Sequence, residues 1–243
     1  MTSTTTDNGR LGNQIIRNLS VSLLAEKHNL KVDYSNKELI EKLGIELFSG
    51  TNSYNTTIEL SDDNYFTIYD SNNVKYNLNP NNNYFQTKKI TNMLYKYLHS
   101  PNIKSKIMDN NEFKERYKNN NDLFVHIRLT DVEKFNPGIE YYIKAIKNIN
   151  FDKLYISTDD PNNNIIIKLK ELYPLLELII MDEITTFKFA STCKDITLSH
   201  GSFSAIIGYL SFFSNIYYPE YESDKMWYGD IFSINNWIKL SVN

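Results

Sequence analysis

The chemistry-bearing residues gather in four short stretches. The first is His126-Ile-Arg128-Leu-Thr130-Asp131, which directly follows the apolar run Leu123-Phe-Val125. A strand of that composition calls for no charged cluster at its end. In open α/β sheets, however, ligands collect beyond the carboxyl ends of strands, and an arginine there offers a rigid fork of donors for phosphate oxygens. The second stretch, Gly9-Arg10-Leu-Gly12-Asn13-Gln14, has the form of a turn into a helix start, where backbone amides receive an anion and Arg10 and Asn13 add side-chain donors. Ser157-Thr-Asp159-Asp160 follows another apolar run and offers carboxylates to a base or a sugar hydroxyl, and Ser199-His-Gly-Ser202-Phe203-Ser204 offers a second cradle at a helix start. Together these point to a phosphorylated ligand gripped from two sides.

Each stretch also has a plainer reading. Arg128 can pair with Asp131 while His126 sits as a satisfied core residue, the glycines can serve turn geometry, and Asp159, Asp160 and Ser202 can cap turns and helices. The alternation of the first stretch favours a site, because Ile127 and Leu129 point one way and His126, Arg128 and Thr130 the other, giving a polar stripe expected to line a cleft. Cys193 follows an apolar helix and is expected in the core. No Asp-x-Asp occurs and the four histidines are scattered, so no metal constellation is expected; Gly-x-Ser-x-Gly and Walker-type loops are also missing, which lowers hydrolase and ATPase readings.

The elements that must position these residues alternate. The stub Thr2 to Thr6, rich in β-branched threonine, suits a first strand, and Ile16, Leu19, Leu23 and Leu24 fall at helical spacing over 13–29, with Lys27 and His28 in the last turn. A short strand over 30–34 and a helix begun by Ser35-Asn-Lys-Glu38 follow, before the pattern loosens between 45 and 83. Ser100-Pro101 starts a helix expected to run through the charged stretch to Lys118. Beyond the run Asn119–Asn121 the rhythm is strand 123–127, helix 138–149, strand 153–157, helix 163–173, strand 176–181, short helix 185–191, strand 195–199, helix 202–213 and strand 215–218. Such alternation implies an α/β fold with parallel sheets. The expected division is a domain over 1–120, a nucleotide-binding-type domain over 121–225, and a helical tail over 226–243, with Trp227 and Trp237, packing back on the first domain.

Composition narrows the partners. The net charge is −3 and 41% of residues are hydrophobic, with a pI near 5.9, which argues against a nucleic-acid reader and leaves local positive charge to a few placed arginines. One cysteine excludes an internal disulfide, the first residues are too polar for a signal peptide, and no apolar stretch nears the ~20 residues of a membrane span. The expectation is a soluble, cytoplasmic protein. The runs of asparagine at 81–83, 119–121 and 162–164 read as solvated loop.

In order along the chain, Gly9-Arg-Leu-Gly-Asn-Gln14, His126-Ile-Arg-Leu-Thr-Asp131, Tyr141-Tyr142, Ser157-Thr-Asp-Asp160, and Ser202-Phe-Ser204 with Gly208-Tyr-Leu210 resemble the α-1,2-fucosyltransferase group, glycosyltransferase family 11. The family shows Gly-x-Leu-Gly-Asn-Gln, His-x-Arg-Arg-Gly-Asp and a late Ser-Thr-Phe-Ser-Trp-Trp. Here Leu129-Thr130 replaces Arg-Gly, and Ala205-Ile206 replaces the tryptophans. The resemblance implies a GT-B fold of two facing Rossmann-like domains, and an inverting, metal-independent fucosyl transfer from GDP-fucose to a hydroxyl of a glycan, with no cofactor beyond the donor. On that reading Arg128 holds the diphosphate and Asp131 is the candidate base. His126 and Asp131 position base or ribose, and Asp159 or Asp160 binds ribose or guanine. Arg10, Gly12, Asn13, Gln14, Ser202, Phe203 and Ser204 complete the donor site, and the domain over 1–120 is the acceptor side. Transfer of another deoxyhexose such as rhamnose, or a catalytically degenerate glycan- or nucleotide-binding module, is the alternative that the two replacements keep open.

Overall fold

The computed structural model describes residues 1–5, 9–131, 133–220 and 229–241; Thr6 of the expected first strand and Trp227 of the expected tail helix lie outside them. The chain divides into two compact units, Met1–Asn110 with Gly229–Ile231, and Asn111–Tyr228 with Phe232–Asn243.

The first unit is organised by one helix. Strand β1 (Thr2–Ser3) pairs in parallel with β2 (Val32–Asp33), and between them runs α1 (Leu11–His28). Fourteen residues of α1 are buried, on every side of the helix and including Arg17 and Asn18. A helix buried all round belongs at the centre of its unit. Helix α2 (Lys37–Glu41) follows, then β3 (Thr57–Glu59), α3 (Tyr65–Asp70) and β4 (Asn77–Asn79), with β3 and β4 a second parallel pair. The Leu78 amide donates to Thr2 Oγ1 at 2.9 Å, bringing β4 beside β1 through a side chain rather than a ladder. Helices α4 (Lys88–Leu98) and α5 (Pro101–Asp109) complete the unit.

The helix expected to reach Lys118 ends at Asp109, and only a 3-10 turn, Lys114–Arg116, follows. The cause is Asn111. Its Oδ1 takes the Phe113 amide at 2.8 Å, a local turn that competes with the helix, and its Nδ2 donates to the Lys188 carbonyl at 2.9 Å. Because Asn111 is buried against the second unit's own helix, the boundary falls after residue 110 and not at the expected 120.

In the second unit the strands are β5 (Leu123–Ile127), β6 (Leu154–Thr158), β7 (Glu177–Leu178), β8 (Asp195–Thr197), β9 (Asn215–Pro219) and β10 (Ile238–Leu240). They form one sheet in the order β10-β9-β8-β5-β6-β7, every pairing parallel. Helices α6 (Ile139–Lys147), α7 (Asn164–Leu172), α8 (Glu183–Ala190) and α9 (Ser202–Leu210) supply crossovers. Counted from β5, this is the doubly wound order 3-2-1-4-5-6. Leu123, Val125 and Ile127 meet Tyr141, Tyr142, Ile166 and Leu169 on one face. On the other, Phe124 and Tyr155 meet Phe189.

The tail departs from expectation. Residues 238–240 are a strand, paired Ile238↔Tyr217 through Leu240↔Pro219, where a helix packing on the first domain was expected. Trp237 lies against Gly208 of α9, where any Cβ would collide with the indole, and it also meets Tyr209 and Phe232. Phe232 and Trp237 are buried within the second unit, while Gly229–Ile231 groups with the first.

Candidate functional site

Connections leave β5 towards β6 and β7 on one side, while β8, β9 and β10 continue on the other. The order reverses between β5 and β8, and the carboxyl ends of the two strands at such a reversal are where open α/β sheets bind their ligands. At the end of β5 stand Arg128 to Asp131, and at the end of β8 stand Ser199 to Ser204, which begin α9. The structure thus brings together Arg128, Asp131, Asp159, Ser202, Phe203 and Ser204 within one unit.

Arg128 is paired twice. Its Nη2 donates to Asp131 Oδ1 at 2.6 Å and its Nε to the same oxygen at 3.1 Å, while Nε lies 3.1 Å from Asp159 Oδ2. The plainer sequence reading of an Arg128–Asp131 pair is therefore present. One guanidinium facing two carboxylates leaves a local charge of about −1, which opposes an incoming anion unless a carboxylate moves. The two carboxylates differ in how firmly they are held. Asp131 has 47% of its side chain exposed, against 14% for Arg128 and 22% for Asp159. Asp159 takes the Leu129 amide at 2.7 Å and the Thr130 hydroxyl at 2.6 Å. Burial pushes its carboxyl up, but the Thr130 and Leu129 hydrogen bonds and the Arg128 charge outweigh this and hold it below the usual carboxylate range.

His126 corrects the expectation of a polar stripe lining a cleft. It is 4% exposed, its Nδ1 lies 2.6 Å from Ser204 Oγ, and its ring stacks on Phe203 with centroids 5.0 Å apart. Burial drives its pKa down to about 3, so the imidazole is neutral at ordinary pH. Alternation set the correct face, but that face is the interior beneath α8 and α9 as far as residue 126, and it becomes partly exposed only at Arg128. His126 therefore supports the start of α9, in place of the expected contact to base or ribose. Phe203 is likewise packed, at 4.2 Å from Phe187, and Ser204 is buried. Asp160 is a turn residue: its Oδ1 accepts the Asn162 amide at 3.2 Å, and Asn163 caps α7.

Several supporting residues were not among the expected site residues. Asn136 Nδ2 donates to the Arg128 carbonyl at 2.8 Å and to Tyr142 Oη at 2.9 Å. Tyr142 Oη lies 2.9 Å from Ser199 Oγ, which accepts the Arg128 amide at 3.3 Å. Tyr141 Oη donates to the Leu198 carbonyl at 2.8 Å. The signal available was the pair of tyrosines opening an apolar helix, since a buried phenol demands a partner.

In the first unit, Gly9 adopts φ +77° and a Cβ there would collide with Asn13. Arg10, exposed and extended, is the N-cap of α1. Gln14 Nε2 donates to the Gly9 carbonyl at 2.8 Å, Gln14 Oε1 accepts Asn36 Nδ2, and Asn13 Oδ1 accepts Gln86 Nε2 at 2.8 Å. Gly12 is buried within α1. Asn13 and Gln14 thus tie the turn to residues 36 and 86, which sequence spacing gave no sign of. Cys193 is buried, as expected, with its thiol pushed up to about 12 by that burial. Among the described residues no group of three or more His, Cys, Asp or Glu is placed to hold a metal ion, and no helix is long and apolar enough to cross a membrane.

No family model matches the chain, and no curated protein matches it. Among solved structures, one match is Arabidopsis thaliana FUT1, mutant R284K, in complex with GDP, at 12% identity and a TM-score of 0.48, covering 90% of this chain and 70% of that one.

Proposed function

We propose that the chain is a nucleotide-sugar-dependent glycosyltransferase in which Arg128 receives the diphosphate of the donor. The observation that carries this reading is the reversal of strand order between β5 and β8, with an arginine at the end of one strand and a helix start at the end of the other. A guanidinium and the amides of an N-terminus stabilise the charge that develops on a departing nucleoside diphosphate. The motif resemblance supports fucose, carried by GDP, as the sugar, and an inverting transfer to a glycan hydroxyl; rhamnose or another deoxyhexose is the variant that Leu129-Thr130 and Ala205-Ile206 leave open.

The pairing of Arg128 supplies a mechanism. A diphosphate competes with Asp131 for the guanidinium, and Asp131, nearly half exposed, is the partner that leaves, while Asp159 stays anchored by Leu129 and Thr130. The released carboxylate becomes the general base for the acceptor hydroxyl, so the base is free only when donor is bound. That order limits wasteful hydrolysis. A second reading, a binding module without turnover, draws on Thr130: its hydroxyl is engaged by Asp159 where the resembled family has glycine.

Titration calorimetry with GDP, UDP and dTDP, followed by donor-hydrolysis and transfer assays, tests this. GDP is expected to bind best, and Asp131→Asn is expected to tighten GDP roughly tenfold by removing a competing charge, while abolishing transfer. Failure of all three nucleotides to bind sinks the proposal; binding without any turnover selects the module.

A further inference from the structure

Arg128 is held by its backbone as well as by its side chain. Its N–H donates to Ser199 Oγ, its carbonyl accepts from Asn136 Nδ2, and the two partners are joined through Tyr142 Oη. The four bonds form a closed circuit through the end of β5, the end of β8, the head of α6 and the connection between β5 and α6. Donor directions are fixed by chemistry. A carbonyl can only accept, so the Asn136 amide nitrogen must face Arg128, and Asn136 Oδ1 then takes the Gly138 amide at 2.9 Å. Both amide hydrogens are used, so Tyr142 Oη accepts from Asn136 and donates its own hydrogen to Ser199. Burial holds the Tyr142 phenol well above its ordinary pKa, so that hydrogen is retained at any working pH.

The circuit spans the point where strand order reverses. Beyond Ile127 the β5–β6 and β5–β8 registers have both ended, so no ladder fixes residue 128. A guanidinium at the end of a long, rotatable stem needs a fixed root if it is to meet a diphosphate, and exchange Asp131 for it, in one geometry. We infer that Asn136, Tyr142 and Ser199 are positioning residues for the anion site, a hydrogen-bonded ring that fixes the root of Arg128 across the reversal between β5 and β8. The inference rests on the proposed function for the identity of the ligand, a nucleoside diphosphate.

The test uses GDP as probe, with calorimetry and thermal melts on the full chain. Tyr142→Phe and Ser199→Ala each remove two of the four bonds, open the ring and are expected to weaken GDP by about tenfold or more. Ser199→Thr retains the hydroxyl and is expected to restore most of the affinity. Tyr141→Phe is the control, since its hydroxyl is equally buried, donates to Leu198 next door and lies outside the ring. A similar change in melting temperature without loss of affinity is expected there. Exchange of the Arg128 amide, followed by hydrogen-exchange NMR, is expected to accelerate in Tyr142→Phe and not in Tyr141→Phe. If wild type binds GDP in an Arg128-dependent manner and the Tyr142→Phe and Ser199→Ala variants bind as tightly as wild type, the positioning role is overturned and the transferase reading survives. If Tyr141→Phe weakens GDP as much as Tyr142→Phe, the ring has no special role and the inference also falls. If wild type binds no nucleotide, both readings fall together.

Discussion

The two units treat their candidate anion sites in opposite ways. At the glycine turn of the first unit, Asn13 and Gln14 are engaged by Gln86, Asn36 and the Gly9 carbonyl, so the side chains expected to meet a ligand serve to hold α1. At the end of β5, the Arg128 guanidinium pairs with two carboxylates, of which Asp131 is the more exposed. The lesson is that a helix start built into a central helix becomes part of the scaffold. An arginine placed past the last ladder bond at a reversal of strand order has a half-exposed carboxylate partner, which the proposed function takes to be exchangeable.

The largest test of that contrast sets Arg128→Ala against Arg10→Ala. Loss of charge-assisted bonds to phosphate at a mostly buried arginine is expected to weaken GDP by at least ~100-fold, about 3 kcal/mol, whereas the exposed Arg10 is expected to cost about tenfold or less. Equal losses in calorimetry would break the distinction between the units. Next in size is a pH effect confined to the second unit. His126 has a folded pKa of about 3 and an unfolded value near 6.5, so below pH 6.5 the unfolded chain gains a proton that the folded chain does not. Stability therefore falls as pH drops from about 6.5 towards 3, by about 2 kcal/mol between pH 7 and pH 5. Urea denaturation at those two pH values should show this, and a folded His126→Asn variant that kept the whole slope would refute it. Smaller again is Gly9→Ala, expected to cost about 1–2 kcal/mol from positive φ and the collision with Asn13. A thermal melt unchanged by that substitution would mean that the turn is not the rigid scaffold described here.

Much of the second unit was legible in the sequence, because β5, β6, β8 and β9 are apolar runs closed by polar turns and the helices between them have clear periodicity. The first unit was less so. Its strands are two or three residues long, and its sheet contact between β1 and β4 runs through a threonine hydroxyl that no periodicity records. The tail misled because the tryptophan that packs on Gly208 carries the same apolar signal in a strand as in a helix. In the site, Arg128, Asp131 and Asp159 were visible as residue types. The burial of His126 was not, since alternation gives a face and does not say how far along the strand that face stays covered.

By itself the sequence determined the α/β rhythm, the place of Arg128 at a strand end and the Asp131 carboxylate within reach of it, because these follow from local spacing and side-chain chemistry. Only the tertiary structure decided the strand order 3-2-1-4-5-6, the boundary at Asn111, the approach of Asp159 to Arg128 and the ring that joins Ser199 to Asn136 and Tyr142. Each of those joins residues many positions apart, and what fixes them is which buried polar group finds a partner once the sheet has closed around it.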